Sequence, residues 1–392
     1  MTRAGFSLRV ATLLAALIVP RTAHAAPPAS APALPAPVRL AFDQAANARY
    51  AAEVTEALAA IQRRLTGRLC QPLLPGLPLA LRPAACGAEQ ADARALVHAV
   101  VLRDGVFWRS FSTHPRTLEE PLMLGSVSKA LAGVPLLALG GANADEHWCV
   151  EAFAGIANAD GYRGVADCTV PAAQMPAQLA MAKSNNLAMV WRLRRLPDRW
   201  MRLQLKQAGA HNVPATSAVS VAVALGTVEY TPRQALECFD ALVAGRARRA
   251  AMVATAPIHA SPFARWCASA ARTPDARRFI DRMLAAPAGP QGTAGFAVGL
   301  LPGAAGLAAK TGTPSTTERL DTGKVLVASF RRGGHRYTFF LSLLSLKPSQ
   351  ALATKLNASD LADLVRVVDR HTRPNSKADP RPIVQRQPAA KP

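Results

Sequence analysis

Two segments with the composition of β-hairpins, one near each end of the chain, constrain the fold more than any other feature. Residues 96–112 have β-type composition around Asp104-Gly105, a dipeptide that accepts the positive φ angles of a tight turn. Residues 323–346 repeat this arrangement around Gly333-Gly334. Two hairpins so far apart in the sequence predict one antiparallel sheet to which both ends of the chain contribute.

Helical segments complete the predicted architecture. A run from Asp43 to about Leu69 has apolar residues at helical spacing and follows a short strand-like stretch at 38–42. Residues 129–290 are mostly helical in composition, and residues 352–370 form an amphipathic terminal helix. We therefore predict an α/β (α+β) fold. Its antiparallel sheet is flanked by N- and C-terminal helices, and an all-helical subdomain is inserted between the halves of the sheet.

The N-terminal residues have the layout of a cleavable secretory signal. Arg3 and Arg9 are followed by an apolar run that ends in Ala23-His24-Ala25. The run is too short for a membrane span of about 20 residues. We expect cleavage of residues 1–25 and export to a periplasmic or other extracytoplasmic compartment. Residues 26–37, rich in Ala, Pro and Ser, are expected to form a spacer.

The chain of 392 residues carries a formal net charge of +21, from 46 Lys and Arg against 25 Asp and Glu. A basic surface attracts polyanions such as nucleic acids. Export and the lack of RNP, zinc-finger and helix-turn-helix signatures lead us to expect no nucleic-acid partner. Residues 371–392 contain five prolines and five basic residues against one acidic residue. They predict a disordered tail that is attracted to the anionic cell envelope.

Six cysteines, all after the predicted cleavage site, agree with export. Sequential pairing closes the shortest loops and predicts the disulfides Cys70–Cys86, Cys149–Cys168 and Cys238–Cys267. Buried free thiols are the alternative. The sequence has neither a C-x-x-C motif nor an H-E-x-x-H cluster, so we expect no metal site and no cofactor.

Ser126 and Lys129 form a candidate reactive pair at a helix start. Residues i and i+3 share a helix face, so Lys129 can touch Ser126 while Ser128 points elsewhere. A serine hydroxyl needs an adjacent base, and a lysine can serve when burial lowers its pKa. Apolar neighbours in the sequence would provide that burial. Because S-x-x-K alone occurs in many unrelated helices, the assignment depends on two further motifs.

Those motifs are S-x-N in residues 183–186 (Lys-Ser-Asn-Asn) and K-T-G-T in residues 310–313. S-x-x-K, S-D-N and K-T-G form the signature set of penicillin-binding proteins and class A β-lactamases, although Asn185 stands at the frequent Asp. The chain therefore resembles the transpeptidase domain of penicillin-binding proteins over residues 38–370, including the glycine-containing segment at 224–232. The resemblance also implies a β-lactamase/transpeptidase-like fold.

The resemblance implies a serine acyl-transfer reaction. Ser126 would attack the carbonyl between two D-alanines of a peptidoglycan stem peptide and form an acyl-enzyme, while Lys129 takes the proton. Ser184 would help to pass a proton to the departing amine. The backbone N–H groups of Ser126 and Thr313 would form the oxyanion hole. β-Lactam antibiotics would be covalent inhibitors of the same serine.

The resemblance also implies a substrate-binding set. Asn186 would hydrogen-bond the substrate amide and Lys129, and Lys310 would supply positive potential for the terminal carboxylate. Two threonine hydroxyls would assist Lys310, and Gly312 would let the substrate backbone lie close to the strand. The predicted substrate-binding residues are thus Asn186, Lys310, Thr311, Gly312 and Thr313.

Three alternatives stay open at this stage. A β-lactamase needs a group that hydrolyses the acyl-enzyme, but the E-x-x-L-N pattern of class A enzymes is missing. A D,D-carboxypeptidase differs from a transpeptidase only in passing the acyl group to water instead of an amine. A noncatalytic wall-binding or sensor protein would keep the fold, although the intact motifs argue against it. We predict an exported D,D-transpeptidase.

Overall fold

The structure, a computed structural model, describes residues 43–70, 95–113, 118–150, 174–215, 219–246, 260–314, 323–345 and 358–374. The predicted signal peptide, the spacer, the strand at 38–42 and most of the basic tail lie outside these ranges. None of the helices within the ranges is both long enough and apolar enough to cross a membrane.

The described ranges contain nine strands and ten α-helices. The strands are β1 (Ala95–Arg103), β2 (Val106–Ser112), β3 (Leu122–Met123), β4 (His147–Cys149), β5 (Gln174–Pro176), β6 (Glu229–Tyr230), β7 (Ala305–Gly312), β8 (Gly323–Arg332) and β9 (His335–Ser345). The α-helices are α1 (Gln44–Cys70), α2 (Val134–Leu139), α3 (Ala177–Ala182), α4 (Asn186–Leu193), α5 (Asp198–Ala208), α6 (Val219–Leu225), α7 (Pro232–Ala244), α8 (Pro262–Ala270), α9 (Pro274–Ala285) and α10 (Ala362–Thr372).

Five strands form one antiparallel sheet in the order β2-β1-β9-β8-β7. Its two hairpins turn at Asp104-Gly105 and Gly333-Gly334, and all four residues have positive φ angles, as two-residue hairpin turns require. β1 pairs with β9 along its whole length, with Ala95 opposite Ser345. Both ends of the chain therefore contribute to the sheet, and the predicted fold class is confirmed.

Each face of the sheet has its own hydrophobic core, because successive strand residues point to opposite faces. On one face, Leu326 and Ala328 of β8 join a core with α1 and α10. On the other face, Val325 and Val327 join a core made by the inserted helices. The two sets of helices thus enclose the sheet in the predicted manner.

The terminal helices begin and end close to the predicted limits. The Asp43 side chain accepts a hydrogen bond from the Ala46 N–H at 2.9 Å and so caps the start of α1. At the C-terminus, a 3-10 turn (Ala358–Leu361) leads into α10, which ends at Thr372 rather than at residue 370. The first part of the predicted terminal helix lies outside the described ranges.

The insertion is mostly helical but not all-helical as predicted. Two short antiparallel ribbons, β3 with β6 and β4 with β5, lie within it. Strands of two or three residues are too short to show a periodic pattern, so the sequence does not reveal them. Leu122 of β3 pairs with Tyr230 of β6, which brings the chain that leads into the Ser126 segment beside the start of α7.

A disulfide between Cys238 and Cys267 joins α7 to α8, as sequential pairing predicts. The two other predicted pairings each include a cysteine outside the described ranges, Cys86 in one and Cys168 in the other, and stay predictions.

Candidate active site

The segment around Ser126 is wound irregularly. A 3-10 turn (Gly125–Val127) precedes a π-helical turn (Lys129–Gly133), and α2 begins only after both. The sequence predicts an ordinary helix start at this point. Single π-turns are rare and occur frequently at functional sites, so the departure marks the segment as unusual.

This segment is confined between two other stretches of backbone. A Cβ atom on Gly125 would lie 2.6 Å from the carbonyl carbon of Thr313, just after β7. A Cβ atom on Gly226 would lie 1.9 Å from the carbonyl oxygen of Gly125. Both glycines have positive φ angles. The absence of side chains at both positions therefore allows three backbones to meet beside Ser126.

Ser126 and Lys129 are in direct contact. Lys129 Nζ donates a hydrogen bond to Ser126 Oγ at 2.6 Å. The hydroxyl of the intervening Ser128 points away and lies 3.0 Å from the Tyr230 hydroxyl inside the core. The structure thus separates the two serines in the way that helical spacing predicts.

The Lys129 side chain is fully buried. Burial lowers its pKa well below the ordinary value of 10.5, and the nearby charge of Lys310 lowers the pKa further. Nζ of Lys129 also donates to Asn186 Oδ1 at 2.6 Å and to Ser184 Oγ at 3.4 Å. An amine that loses its proton readily is thereby held against the hydroxyl of Ser126.

The S-x-N residues form a tight turn between α3 and α4. Ser184 has a φ angle of 55°, an unusual and strained backbone for a residue with a side chain. Asn185 accepts a hydrogen bond from the Ala188 N–H at 3.0 Å and caps α4. The amide at the frequent Asp position therefore has a structural function, because it fixes the neighbours Ser184 and Asn186.

Lys310 of β7 contacts the Ser184 hydroxyl from the side of the sheet. Its Nζ donates to Ser184 Oγ at 2.8 Å and to the Thr311 carbonyl oxygen at 2.8 Å. The side chain is fully buried, and burial lowers its pKa to about 7. Ser184 therefore lies between the amines of Lys129 and Lys310.

The remaining K-T-G-T residues have different neighbours. A Cβ atom on Gly312 would lie 2.1 Å from the Leu124 carbonyl oxygen and 3.0 Å from a Val127 methyl group. The glycine is thus required where β7 packs against the Ser126 segment, which is a different reason from the predicted approach of a substrate backbone. Thr311 Oγ1 donates to Thr293 Oγ1 at 2.7 Å.

Thr293 and Lys324 belong to the site, although no motif indicates them. Besides contacting Thr311, Thr293 donates its backbone N–H to the Ala182 carbonyl oxygen at 3.1 Å, just before the S-x-N turn. Lys324 Nζ donates to Thr313 Oγ1 at 2.8 Å. Both contacts join segments that are distant in sequence, so no local pattern could reveal them.

The eight predicted residues therefore form two connected groups. Ser126, Lys129, Ser184, Asn186 and Lys310 share one hydrogen-bond network. Thr311 in β7 and Thr313 just after it follow Lys310 along the chain, and Gly312 packs against the Ser126 segment. A buried amine beside a hydroxyl, with a second amine one hydroxyl away, can activate a nucleophile and relay a proton. In the described ranges, His, Cys, Asp and Glu side chains form no cluster that could hold a metal ion.

Comparison with known proteins gives a match only at the level of structure. No family model and no curated protein matches the sequence. The apo TP domain of penicillin-binding protein 3 from Burkholderia pseudomallei matches with a TM-score of 0.55 at 13% identity, over 85% of this chain and 96% of that one. A peptidoglycan glycosyltransferase from Burkholderia ambifaria matches with a TM-score of 0.55 at 13% identity, over 86% and 99%. The chain therefore has the fold found in these proteins.

Proposed function

We propose that this chain is a serine acyltransferase that acts as a D,D-transpeptidase on the D-Ala-D-Ala ends of peptidoglycan stem peptides. One observation carries the proposal: Lys129 Nζ lies 2.6 Å from Ser126 Oγ while burial and a neighbouring lysine lower the pKa of Lys129. A base of this kind is what a serine nucleophile needs, and few structural roles would require a buried amine there.

In the first step, neutral Lys129 accepts the Ser126 proton as Oγ bonds to the carbonyl carbon between the two D-alanines. The negative charge that develops on the carbonyl oxygen would be stabilised by the backbone N–H groups of Ser126 and Thr313. The close packing of Gly125 against Thr313 supports this pairing of N–H groups. The terminal D-alanine leaves as its C–N bond breaks.

The departing amine needs a proton, and the Ser184 hydroxyl is suited to deliver it. Ser184 Oγ lies 3.4 Å from the Nζ atom that has taken the Ser126 proton. It can donate its own proton to the leaving nitrogen and recover one from Lys129, so that no net charge is left behind. Asn186 would hold Lys129 in place through its 2.6 Å hydrogen bond and orient the substrate amide.

In the second step, an amine from a neighbouring stem peptide attacks the acyl-enzyme, its proton returns to Ser126, and a cross-link forms. Water in place of the amine would make the reaction a D,D-carboxypeptidation. Incubation with a donor peptide, with and without an acceptor amine, separates the two by their products. Acceptor-dependent product supports transfer, and hydrolysis alone supports the carboxypeptidase.

A persistent acyl-enzyme is proposed because the sequence lacks the E-x-x-L-N pattern that supplies a deacylating base in class A β-lactamases. β-Lactams would then inhibit the protein covalently instead of being destroyed. Rapid turnover of nitrocefin would favour the β-lactamase. We further propose export by the predicted signal peptide and attraction of the basic tail to the anionic envelope.

Labelling with a fluorescent penicillin tests the proposal. Wild type should be labelled covalently, and Ser126→Ala should not. Ser128→Ala is the matched control, since it removes a hydroxyl two residues away that contacts Tyr230 inside the core, and it should label like wild type. A correctly folded wild type without label would favour a noncatalytic wall-binding protein.

A further inference from the structure

The turn that begins with Lys129 is wound more widely than an α-helix. The Lys129 carbonyl oxygen accepts a hydrogen bond from the Val134 N–H, five residues further on, where an α-helix would use the N–H four residues further on. One extra residue corresponds to about 100° of rotation around a helix axis. The winding of this turn therefore sets the direction of the Lys129 side chain relative to α2.

Packing holds both ends of the turn in place. On its N-terminal side, the Gly125 backbone lies against the backbones of Thr313 and Gly226. On its C-terminal side, α2 is fixed by leucines that are buried in the core. Because neither end can shift freely, the π-helical winding between them determines the position of Lys129 Nζ and hence its three hydrogen bonds.

Pro135 removes the hydrogen bond that a regular α-helix would need here. In an α-helix, the Leu131 carbonyl oxygen would accept the N–H of residue 135. Proline has no N–H, and its ring clashes with the carbonyl group four residues earlier. Pro135 lies in the first turn of α2, where a proline is tolerated because the N–H is not needed. The proline therefore favours a π-helical turn followed by a new helix over one continuous α-helix.

The Cys238–Cys267 disulfide packs against the same carbonyl group. The two Sγ atoms lie 3.7 Å and 3.9 Å from the Leu131 carbonyl oxygen. Sulfur atoms in a disulfide carry no proton, so they do not donate hydrogen bonds to this oxygen and act by packing alone. Both cysteines are fully buried. The disulfide thus occupies the space beside Leu131 and holds α7 and α8 against the turn.

We propose that Pro135 and the Cys238–Cys267 disulfide position Lys129 for the reaction. The proline disfavours an α-helical turn, the disulfide confines the Leu131 carbonyl group, and the π-helical turn that results holds Lys129 Nζ at Ser126. The inference rests on the proposed function, and it gives the proline and the disulfide a task that they perform through Lys129.

The rate at which benzylpenicillin acylates Ser126 tests the proposal, followed by intact-protein mass spectrometry between about pH 6 and pH 10. Pro135→Ala restores the N–H and removes the ring, so the turn can rewind to an α-helix. The rate should fall about a hundredfold, as expected when a catalytic group is displaced by about 1 Å. The midpoint of the pH profile should rise towards 10.5, because Lys129 leaves its buried position beside Lys310.

Removal of the disulfide gives a second, independent perturbation. The double variant Cys238→Ala, Cys267→Ala leaves a space beside Leu131. It should slow acylation by about three- to tenfold and shift the pH profile in the same direction. Because the proline and the disulfide act on one carbonyl group, the triple variant should be no slower than Pro135→Ala alone. Losses that add fully would contradict a shared action on Leu131.

Pro274→Ala is the matched control. Pro274 also lies in the first turn of a helix, α9, and is exposed, so its replacement should leave the rate and the pH profile unchanged. Thermal melting of each variant measures stability, which a proline or a disulfide with a purely structural role would also affect. The midpoint of the pH profile is the measurement that such a role would not change.

The outcomes separate the inference from the proposed function. Folded variants whose pH profiles match that of wild type would overturn the inference and leave the proposed function standing, even if they melt at lower temperature. If Pro135→Ala does not fold, the cysteine variant decides by the same criterion. A folded wild type that benzylpenicillin does not acylate would overturn the proposed function, and the inference with it.

Discussion

Lys129 and Lys310 hydrogen-bond the same hydroxyl group, that of Ser184, at 3.4 Å and 2.8 Å. Burial lowers the pKa of both lysines, and the charge of Lys310 lowers the pKa of Lys129 further. The strained turn at Ser184 is thus the point where one hydroxyl joins the helical insertion to the sheet through the two lysines.

Acylation of Ser126 should rise with pH through the lowered pKa of Lys129 and level off well below the ordinary value of 10.5. The neutral amine accepts the proton, so the rate follows its fraction. Stopped-flow fluorescence with a labelled penicillin, between about pH 5 and pH 10, gives the profile. Lys129→Arg, which stays charged, should not react. A wild-type rate that still rises tenfold per pH unit near pH 10 would show that burial does not lower the pKa of Lys129.

Lys310→Met should stabilise the fold. Because burial lowers the pKa of Lys310 to about 7, the unfolded chain binds more protons than the folded chain between pH 7 and 10.5. The buried lysine therefore costs most below pH 7, and its cost disappears above pH 10.5. Urea denaturation at pH 7 should show a gain of about 1–2 kcal/mol for the variant, with a smaller gain at pH 10.

Exposed Lys206 provides the control for that experiment, since Lys206→Met should change the free energy of unfolding by less than about 0.5 kcal/mol. The Lys310→Met variant should also lose most of its penicillin labelling. A variant that is less stable than wild type at pH 7 would show that the hydrogen bonds of Lys310 outweigh the cost of its burial.

Ser184→Ala and Ser184→Gly should slow acylation equally, by about 10²- to 10⁴-fold, because both remove the hydroxyl that the two lysines contact. Their stabilities should differ. The φ angle of 55° suits glycine, so Ser184→Gly should be more stable than Ser184→Ala by about 1 kcal/mol. Thermal denaturation measures this difference, and equal melting temperatures would show that the turn relaxes.

Gly226→Ala should destabilise the protein by about 3 kcal/mol, or prevent folding, because the new Cβ would lie 1.9 Å from the Gly125 oxygen. Gly303→Ala is the control that measures the cost of backbone strain without steric overlap. Gly303 also has a positive φ, but nothing lies within 4 Å of its Cβ position, so the cost should be only about 1 kcal/mol. Chemical denaturation should rank the two variants in this order, and similar costs would refute close packing at Gly226.

The layers of the fold can be predicted from the sequence because they depend on local signals. Asp104-Gly105 and Gly333-Gly334 specify tight turns, and the helical spacing after Asp43 specifies α1. The short pairing of Leu122 with Tyr230 depends on residues that are distant in the chain. Because the two strands are more than 100 residues apart, no local sequence pattern predicts this ribbon.

The candidate site likewise combines contacts that local sequence predicts with contacts that depend on distant residues. Ser126 and Lys129 lie within one turn, so their contact follows from helical spacing. Thr293 and Lys324 belong to no motif. Only the folded structure shows that Thr293 contacts Thr311 and that Lys324 contacts Thr313. The irregular winding at Lys129–Gly133 also depends on packing from elsewhere, which helix propensity does not describe.

The pairing of β1 with β9 has a consequence for how the chain folds. β9 follows β1 and β2 only after the whole helical insertion, and it lies between β1 and β8. The first hairpin therefore has no partner on that side until synthesis has reached β9. Until then β1 presents an open hydrogen-bonding edge, which is prone to aggregation. Contacts this far apart in sequence also slow folding. The order of synthesis thus leaves the central sheet open to aggregation for longest at β1, the strand that joins the first hairpin to the rest of the sheet.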